Sequence, residues 1–129
     1  MKLTTTIRVK NDLFKFATET ANKYYLSRST IINIAIASLS KSKFRDRYIK
    51  QAIARNTQGN KTKTTWSTNS NLMNLVKVLA NKNECNYTEI VAAGLLYIRQ
   101  NAIKPKYLDL KFSKVVERNK VKWKRSHLI

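Results

Sequence analysis

Two stretches of the chain alternate between apolar or β-branched and polar positions with a period of two. Each is followed by two segments whose apolar residues recur every three or four positions. In residues 4–9, Thr5, Ile7 and Val9 alternate with Thr4, Thr6 and Arg8, which predicts a strand with one apolar and one polar face. Lys10, Asn11 and Asp12 break the alternation, and Asn11 or Asp12 is placed to cap a helix. That helix carries Leu13, Phe16, Ala17, Thr20, Ala21 and Tyr24 on one stripe and is expected to stop near Tyr25. Ser27 is the expected N-cap of a second helix, in which Ile31, Ile32, Ile34, Ala35, Ile36 and Leu39 leave almost no polar side. A helix of that kind belongs in a core or an interface.

The pattern then returns. A shift of 59 residues lays Thr5 and Thr6 on Thr64 and Thr65, Leu13 on Leu72, Ala21, Asn22 and Lys23 on Ala80, Asn81 and Lys82, and Ile31 on Ile90. This is an internal repeat without a gap. In the second strand, residues 63–68, Thr64, Trp66 and Thr68 are expected to face inward and Lys63, Thr65 and Ser67 outward. Asn69, Ser70 and Asn71 are placed to cap the next helix, whose stripe is Leu72, Leu75, Val76, Leu79 and Ala80. Asn86 and Glu89 have the spacing of a capping box at the start of the last helix, and Gly94 within it is a candidate for close helix packing.

Between the copies, Phe44, Tyr48, Ile49, Ala52 and Ile53 sit at helical spacing among Lys41, Lys43, Arg45, Arg47, Lys50 and Arg55, which predicts a basic amphipathic helix. After Pro105 the alternation of Leu108, Leu110 and Phe112, and again of Val121 and Trp123, fits a basic hairpin. A helix on Phe112, Val115, Val116 and Trp123 fits as well. The organisation expected is thus a first unit at 1–40, a basic linker at 41–60, a second unit at 61–103 and a basic extension at 104–129. Units of about 40 residues are too small to be stable alone, so the two are expected to bury each other.

Charge changes the picture most. The chain has 26 Lys and Arg against 7 Asp and Glu, a formal net charge of +19, which points to a polyanionic partner. The excess is heaviest in the linker and the extension, which read as electrostatic grip added to folded modules. With one cysteine, Cys85, and one histidine, His127, neither an internal disulfide nor a zinc site is expected. Cys85 falls on Leu26 under the 59-residue shift and is expected to pack as a small apolar side chain. The seven carboxylates form no acid/base or nucleophile constellation, so no enzyme, cofactor or small-molecule substrate is expected. Neither a signal peptide nor a run of ~20 apolar residues is evident, so the expected location is the cytosol, with no membrane partner.

Strand, helix, helix in this length resembles the ribbon-helix-helix pattern of the MetJ/Arc/CopG superfamily, and Leu26, Ser27, Arg28 and Ser29 followed by Ile31, Ile32 and Ala35 are similar to its second-helix opening. Two copies in one chain resemble the tandem, TraY-like members of that superfamily. The resemblance covers residues 2–40 and 61–101. It implies a mainly α fold with a two-stranded antiparallel β-ribbon, formed by two units pairing as an intramolecular pseudo-dimer. It also implies that the ribbon enters the major groove of double-stranded DNA.

On that expectation Thr4, Thr6, Arg8, Lys63, Thr65 and Ser67 contact bases, and the openings of the second helices contact phosphate: Ser27, Arg28 and Ser29 in one unit, Asn86, Tyr87 and Thr88 in the other. Lys43, Arg45, Arg47 and Lys50 of the linker are either further backbone contacts or a solvated face. Lys122, Lys124 and Arg125, with Lys120 and Trp123, are candidates in the extension. The outward residues differ between copies, Thr4 for Lys63 and Arg8 for Ser67, which predicts non-identical half-sites. The role expected is a transcriptional regulator or repressor. The alternative is a relaxosome accessory protein that binds a conjugative origin of transfer and recruits a relaxase, and the further partners to consider are other copies of the chain along DNA.

Overall fold

The computed structural model describes residues 2–55 and 59–103. The elements run β1 (Lys2–Lys10), α1 (Asn11–Lys23), α2 (Arg28–Lys41), α3 (Arg45–Arg55), β2 (Lys61–Asn69), α4 (Ser70–Lys82) and α5 (Tyr87–Gln100). The described residues are therefore mainly helical, with one two-stranded sheet in which β1 pairs antiparallel to β2. Apart from α3, every element of the second repeat begins and ends 59 residues after its counterpart in the first. Both strands are longer than the alternating segments at 4–9 and 63–68, because pairing continues to Lys10 opposite Lys61 and to Lys2 opposite Asn69.

In the register, Thr6 lies opposite Thr65, its own counterpart under the 59-residue shift. A second such pair lies in the core. A Cβ on Gly94 would come within 3.1 Å of the Ala35 carbonyl carbon and 3.2 Å of the Ile36 nitrogen, so α2 and α5 cross backbone to backbone where Ala35 meets its counterpart Gly94. The missing side chain permits the approach. Around that crossing Ile31, Ile32, Ile36, Leu39, Ile90, Val91, Leu95 and Leu96 are all buried, each worth roughly 1.5–3 kcal/mol of transfer from water. Each repeat thus buries the apolar helix that the other cannot cover alone.

The ends of α1, α4 and α5 use devices that contain no glycine. After α1, Tyr25 takes φ 56°, and the Leu26 amide donates to the Ala21 carbonyl at 2.9 Å. Glu84 at φ 53° with Cys85 donating to Ala80, and Ala102 at φ 50° with Ile103 donating to Ile98, repeat the arrangement. These are Schellman motifs, in which a left-handed residue lets a following amide reach back to an orphan carbonyl. The next residue, Leu26, Cys85 or Ile103, packs against the core, so Cys85 does take the apolar place of Leu26.

The expected caps hold at Ser27, Asn69 and the Asn86/Glu89 box. The first helix is a correction. It starts at Asn11 itself, from Lys10, with no side-chain cap. Asn11 accepts a hydrogen bond from the Thr62 hydroxyl across the ribbon, and its amide donates to the Asn60 carbonyl at 3.0 Å. Asp12 is taken by two arginines. The other end of the helix, at Lys23 with Tyr24 as C-cap, falls near Tyr25 as expected.

The linker helix forms, but one face of α3 belongs to the core. Ile49 and Ala52 are buried, and Tyr48 packs edge-on against Tyr97 of α5 with ring centroids 5.2 Å apart. Phe44, expected on its apolar face, is 57% exposed because it precedes the helix. The extension expected to form a hairpin or a helix, with Lys120, Lys122, Trp123, Lys124 and Arg125, lies outside the described residues.

Candidate nucleic-acid interface

Pleating sorts the ribbon's side chains as their parity requires. Ile7, Val9, Thr64, Trp66 and Thr68 are buried against the helices, while Thr4, Thr6, Arg8, Lys63 and Thr65 are exposed and Ser67 is half-buried. The register sets the six outward residues in three cross-strand pairs: Thr4 with Ser67, Thr6 with Thr65, and Arg8 with Lys63. The Thr4 and Ser67 hydroxyls are 3.3 Å apart. Arg8 and Lys63 place two cations directly opposite each other, an arrangement that opposes strand pairing.

The inner face explains why the two strands are not interchangeable. Trp66 stands where the first repeat has Ile7, and its buried indole N–H needs an acceptor. Asn33 of α2 supplies it at 2.8 Å and donates its own amide to the Ser67 carbonyl at 3.0 Å. The position corresponding to Asn33 is Ala92 on α5, the helix that packs against β1. A polar residue appears on the helix only where the strand brings an indole. Asn33 was not among the residues singled out from the sequence; its one signal there is this departure from Ala92.

The openings of the two long helices are built differently. At α5 the Asn86 side chain accepts from the Glu89 amide and the Glu89 carboxylate accepts from the Asn86 amide, which holds the first turn rigid. The amides of Tyr87 and Thr88 precede the first intrahelical bonds and are the groups a helix start offers to an anion. Asn86, Tyr87 and Thr88 share an open depression with Thr5, Thr6 and Ile7, so expected phosphate and base contacts meet at one place.

At α2, Ser27 is an exposed cap whose hydroxyl accepts from the Thr30 amide. Its neighbours are committed within the protein. Ser29 accepts from the Ser67 amide at 2.9 Å, and Arg28 stacks its guanidinium 4.6 Å from the centre of the Phe14 ring while donating to Thr18 at 3.5 Å. In the linker Lys43, Arg47 and Lys50 are exposed, whereas Arg45 is half-buried and donates to the Ser40 carbonyl at 3.4 Å. Lys122, Lys124 and Arg125 lie outside the described residues. The sequence reading also passed over Lys10 and Lys61, which share the outward parity and extend the Arg8 and Lys63 end; only the full strand length brings them in.

Two titratable groups depart from ordinary values. Burial raises the Asp12 pKa, but this is outweighed by the hydrogen bond and charge of Arg99, the charge of Arg55 and the Leu13 amide, so the group sits below its usual 3.8. Asp12 Oδ2 is 3.0 Å from Arg99 and 3.1 Å from Arg55, and it ties α1, α3 and α5 together. Burial, with the Glu89 charge behind it, pushes the Cys85 thiol up, away from reactive thiolate. Among the described residues no group of three or more His, Cys, Asp or Glu side chains is placed to hold a metal, and no helix is long and apolar enough to cross a membrane. Comparison of the chain with family models, with curated proteins and with solved structures gave no match, so any functional reading rests on this geometry alone.

Proposed function

We propose that the chain binds duplex DNA sequence-specifically as a tandem ribbon-helix-helix protein, its two strand-helix-helix units pairing as a pseudo-dimer within one polypeptide, and that it acts as a transcriptional regulator. The observation that carries this reading is the ribbon's register. Thr6 faces Thr65, and polar side chains stand outward on both sides of that pair while the apolar ones are buried. A two-stranded ribbon fits the major groove, where each base pair shows a distinct set of donors and acceptors. An exposed ribbon of this kind has hydroxyls and an arginine at the spacing to read them, and the net charge of +19 supplies the affinity that any polyanion binder needs.

In this mechanism the free amides of α5 and the exposed Ser27 of α2 position the backbone, and the ribbon reads between them. Affinity falls steeply with salt while base preference does not.

The test is a selection from random duplexes followed by anisotropy titration at fixed salt. Thr6→Glu with Thr65→Glu sets two carboxylates at the centre of the face. Both positions are exposed, so helicity is expected to be unchanged while binding to the selected duplex is lost. Undiminished binding by this variant would place the DNA elsewhere on the protein and sink the reading.

A further inference from the structure

We propose that the ribbon reads its duplex in one direction only, with guanine-bearing base pairs under its Arg8 and Lys63 end and thymine-bearing pairs under its Thr4 and Ser67 end. This rests on the ribbon being the DNA reader. It goes beyond that reading because reading by a ribbon leaves open a symmetric site that the protein binds equally well either way round.

The register continues to the ends of the strands. On one side of the Thr6 and Thr65 pair stand Arg8 opposite Lys63 and then Lys10 opposite Lys61. On the other stand Thr4 opposite Ser67 and then Lys2 opposite Asn69, and the Asn69 side chain is turned to cap α4. Four cations therefore occupy one end in a two-by-two block. Among the described residues none of the four forms an ion pair; the nearest carboxylate along the chain, Asp12, is held by Arg55 and Arg99. A block of unpaired like charges on facing strands works against the ribbon that carries it, and a ligand rich in acceptors relieves that repulsion.

Distance divides the block. At about 3.4 Å per residue, Arg8 and Lys63 lie about 7 Å from the central pair and Lys10 and Lys61 about 14 Å. The inner two are over base edges and the outer two reach the phosphates that bound the groove. Guanine shows two acceptors in the major groove, N7 and O6, and is the base that Arg and Lys read; adenine offers one of them an amino donor instead. The Thr4 and Ser67 hydroxyls, 3.3 Å apart, form a neutral patch suited to thymine O4 and its methyl group. Neither end can take the place of the other, because the counterpart of Arg8 is Ser67 and that of Lys63 is Thr4.

The full chain carrying Cys85→Ser and Asn60→Cys, with an iron chelate on the new thiol, reports the orientation. Asn60 is exposed and lies beside Lys61 at the cationic end. The duplex selected by the wild-type chain is expected to be non-palindromic, with guanines in one half. Cleavage is expected on the guanine flank alone. Replacing those guanines with adenines is expected to weaken binding about ten- to a hundred-fold, and Arg8→Ala is expected to abolish that discrimination.

The exchange Thr4→Lys, Lys63→Thr, Arg8→Ser and Ser67→Arg turns the outer face by half a turn. It is expected to move cleavage to the opposite flank of the same duplex. A palindromic selected site, or equal cleavage on both flanks by the otherwise wild-type chain, overturns directional reading while leaving the ribbon as reader. A selection that returns no sequence preference removes the proposed function and this inference with it.

Discussion

The two strand-helix-helix segments share every boundary at a shift of 59 residues, yet they spend their sequence differences in opposite ways on their two faces. On the buried side the largest departure is answered by another. Trp66 replaces Ile7, and Asn33 stands where the other helix has Ala92, so that the indole N–H is satisfied at 2.8 Å. Gly94 replaces Ala35 at the helix crossing, where only one of the two positions leaves room for a methyl group. On the outward side Arg8 replaces Ser67 and Lys63 replaces Thr4, and among the described residues no carboxylate pairs with either cation. Differences compensated inside the protein preserve its fold. Differences left uncompensated at its surface are the ones on which the proposed DNA reading rests.

The comparison can be broken most forcefully at the tryptophan. Trp66→Ala is expected to cost about 3–5 kcal/mol of unfolding free energy, measured by chemical denaturation, since it empties a fully buried site. Asn33→Ala alone is expected to cost roughly 1–3 kcal/mol by orphaning the indole, and distinctly less in a Trp66→Phe background. Equal losses in both backgrounds would show that Asn33 acts only through its bond to Ser67. Gly94→Val comes next, at about 1–3 kcal/mol or somewhat more, because the added carbons meet α2 backbone that cannot rotate away. A neutral result would mean that α2 and α5 separate readily.

Smaller effects sharpen the same contrast. Thr68 is buried with its hydroxyl unpartnered, and its counterpart in the first strand is Val9. Thr68→Val is therefore expected to raise stability by roughly 1 kcal/mol in the same denaturation assay. Asp12, which has no acidic counterpart in the second repeat, gives the smallest change. Its folded pKa lies below its unfolded value, so its contribution is present above pH 3.8 and is lost as the pH falls through the folded pKa. With its side chain 43% exposed, Asp12→Asn is expected to cost less than about 1 kcal/mol at neutral pH and to flatten the acid limb of a stability profile.

What was legible beforehand followed from local pattern. The repeat, the inward and outward parity of both strands, the caps at Ser27, Asn69 and Asn86, and the close approach at Gly94 were all readable because each depends on residues within one turn or one pleat. What the sequence did not show has a common cause. Asn11 has the chemistry of a helix cap but bonds to Thr62, which is distant in sequence. Arg28 and Ser29, expected at phosphate, also have partners that only the fold supplies: Arg28 lies over Phe14, and Ser29 accepts from the Ser67 amide at the edge of β2. Left-handed residues at Tyr25, Glu84 and Ala102 gave no glycine to find, because the amide bonds and apolar contacts that follow them outweigh the local steric cost.

Taken alone, the amino-acid sequence determined that two copies of a strand and two helices exist and which side of each is apolar, since periodicity is a property of neighbours. Only the tertiary structure decided that Thr6 meets Thr65, that α3 is packed on α5, and that Arg55 and Arg99 are the cations tied to Asp12. Those outcomes depend on groups some 60 residues apart finding one another, and a local pattern carries no information about which partner a hydrogen bond or a charge will meet once the chain has closed on itself.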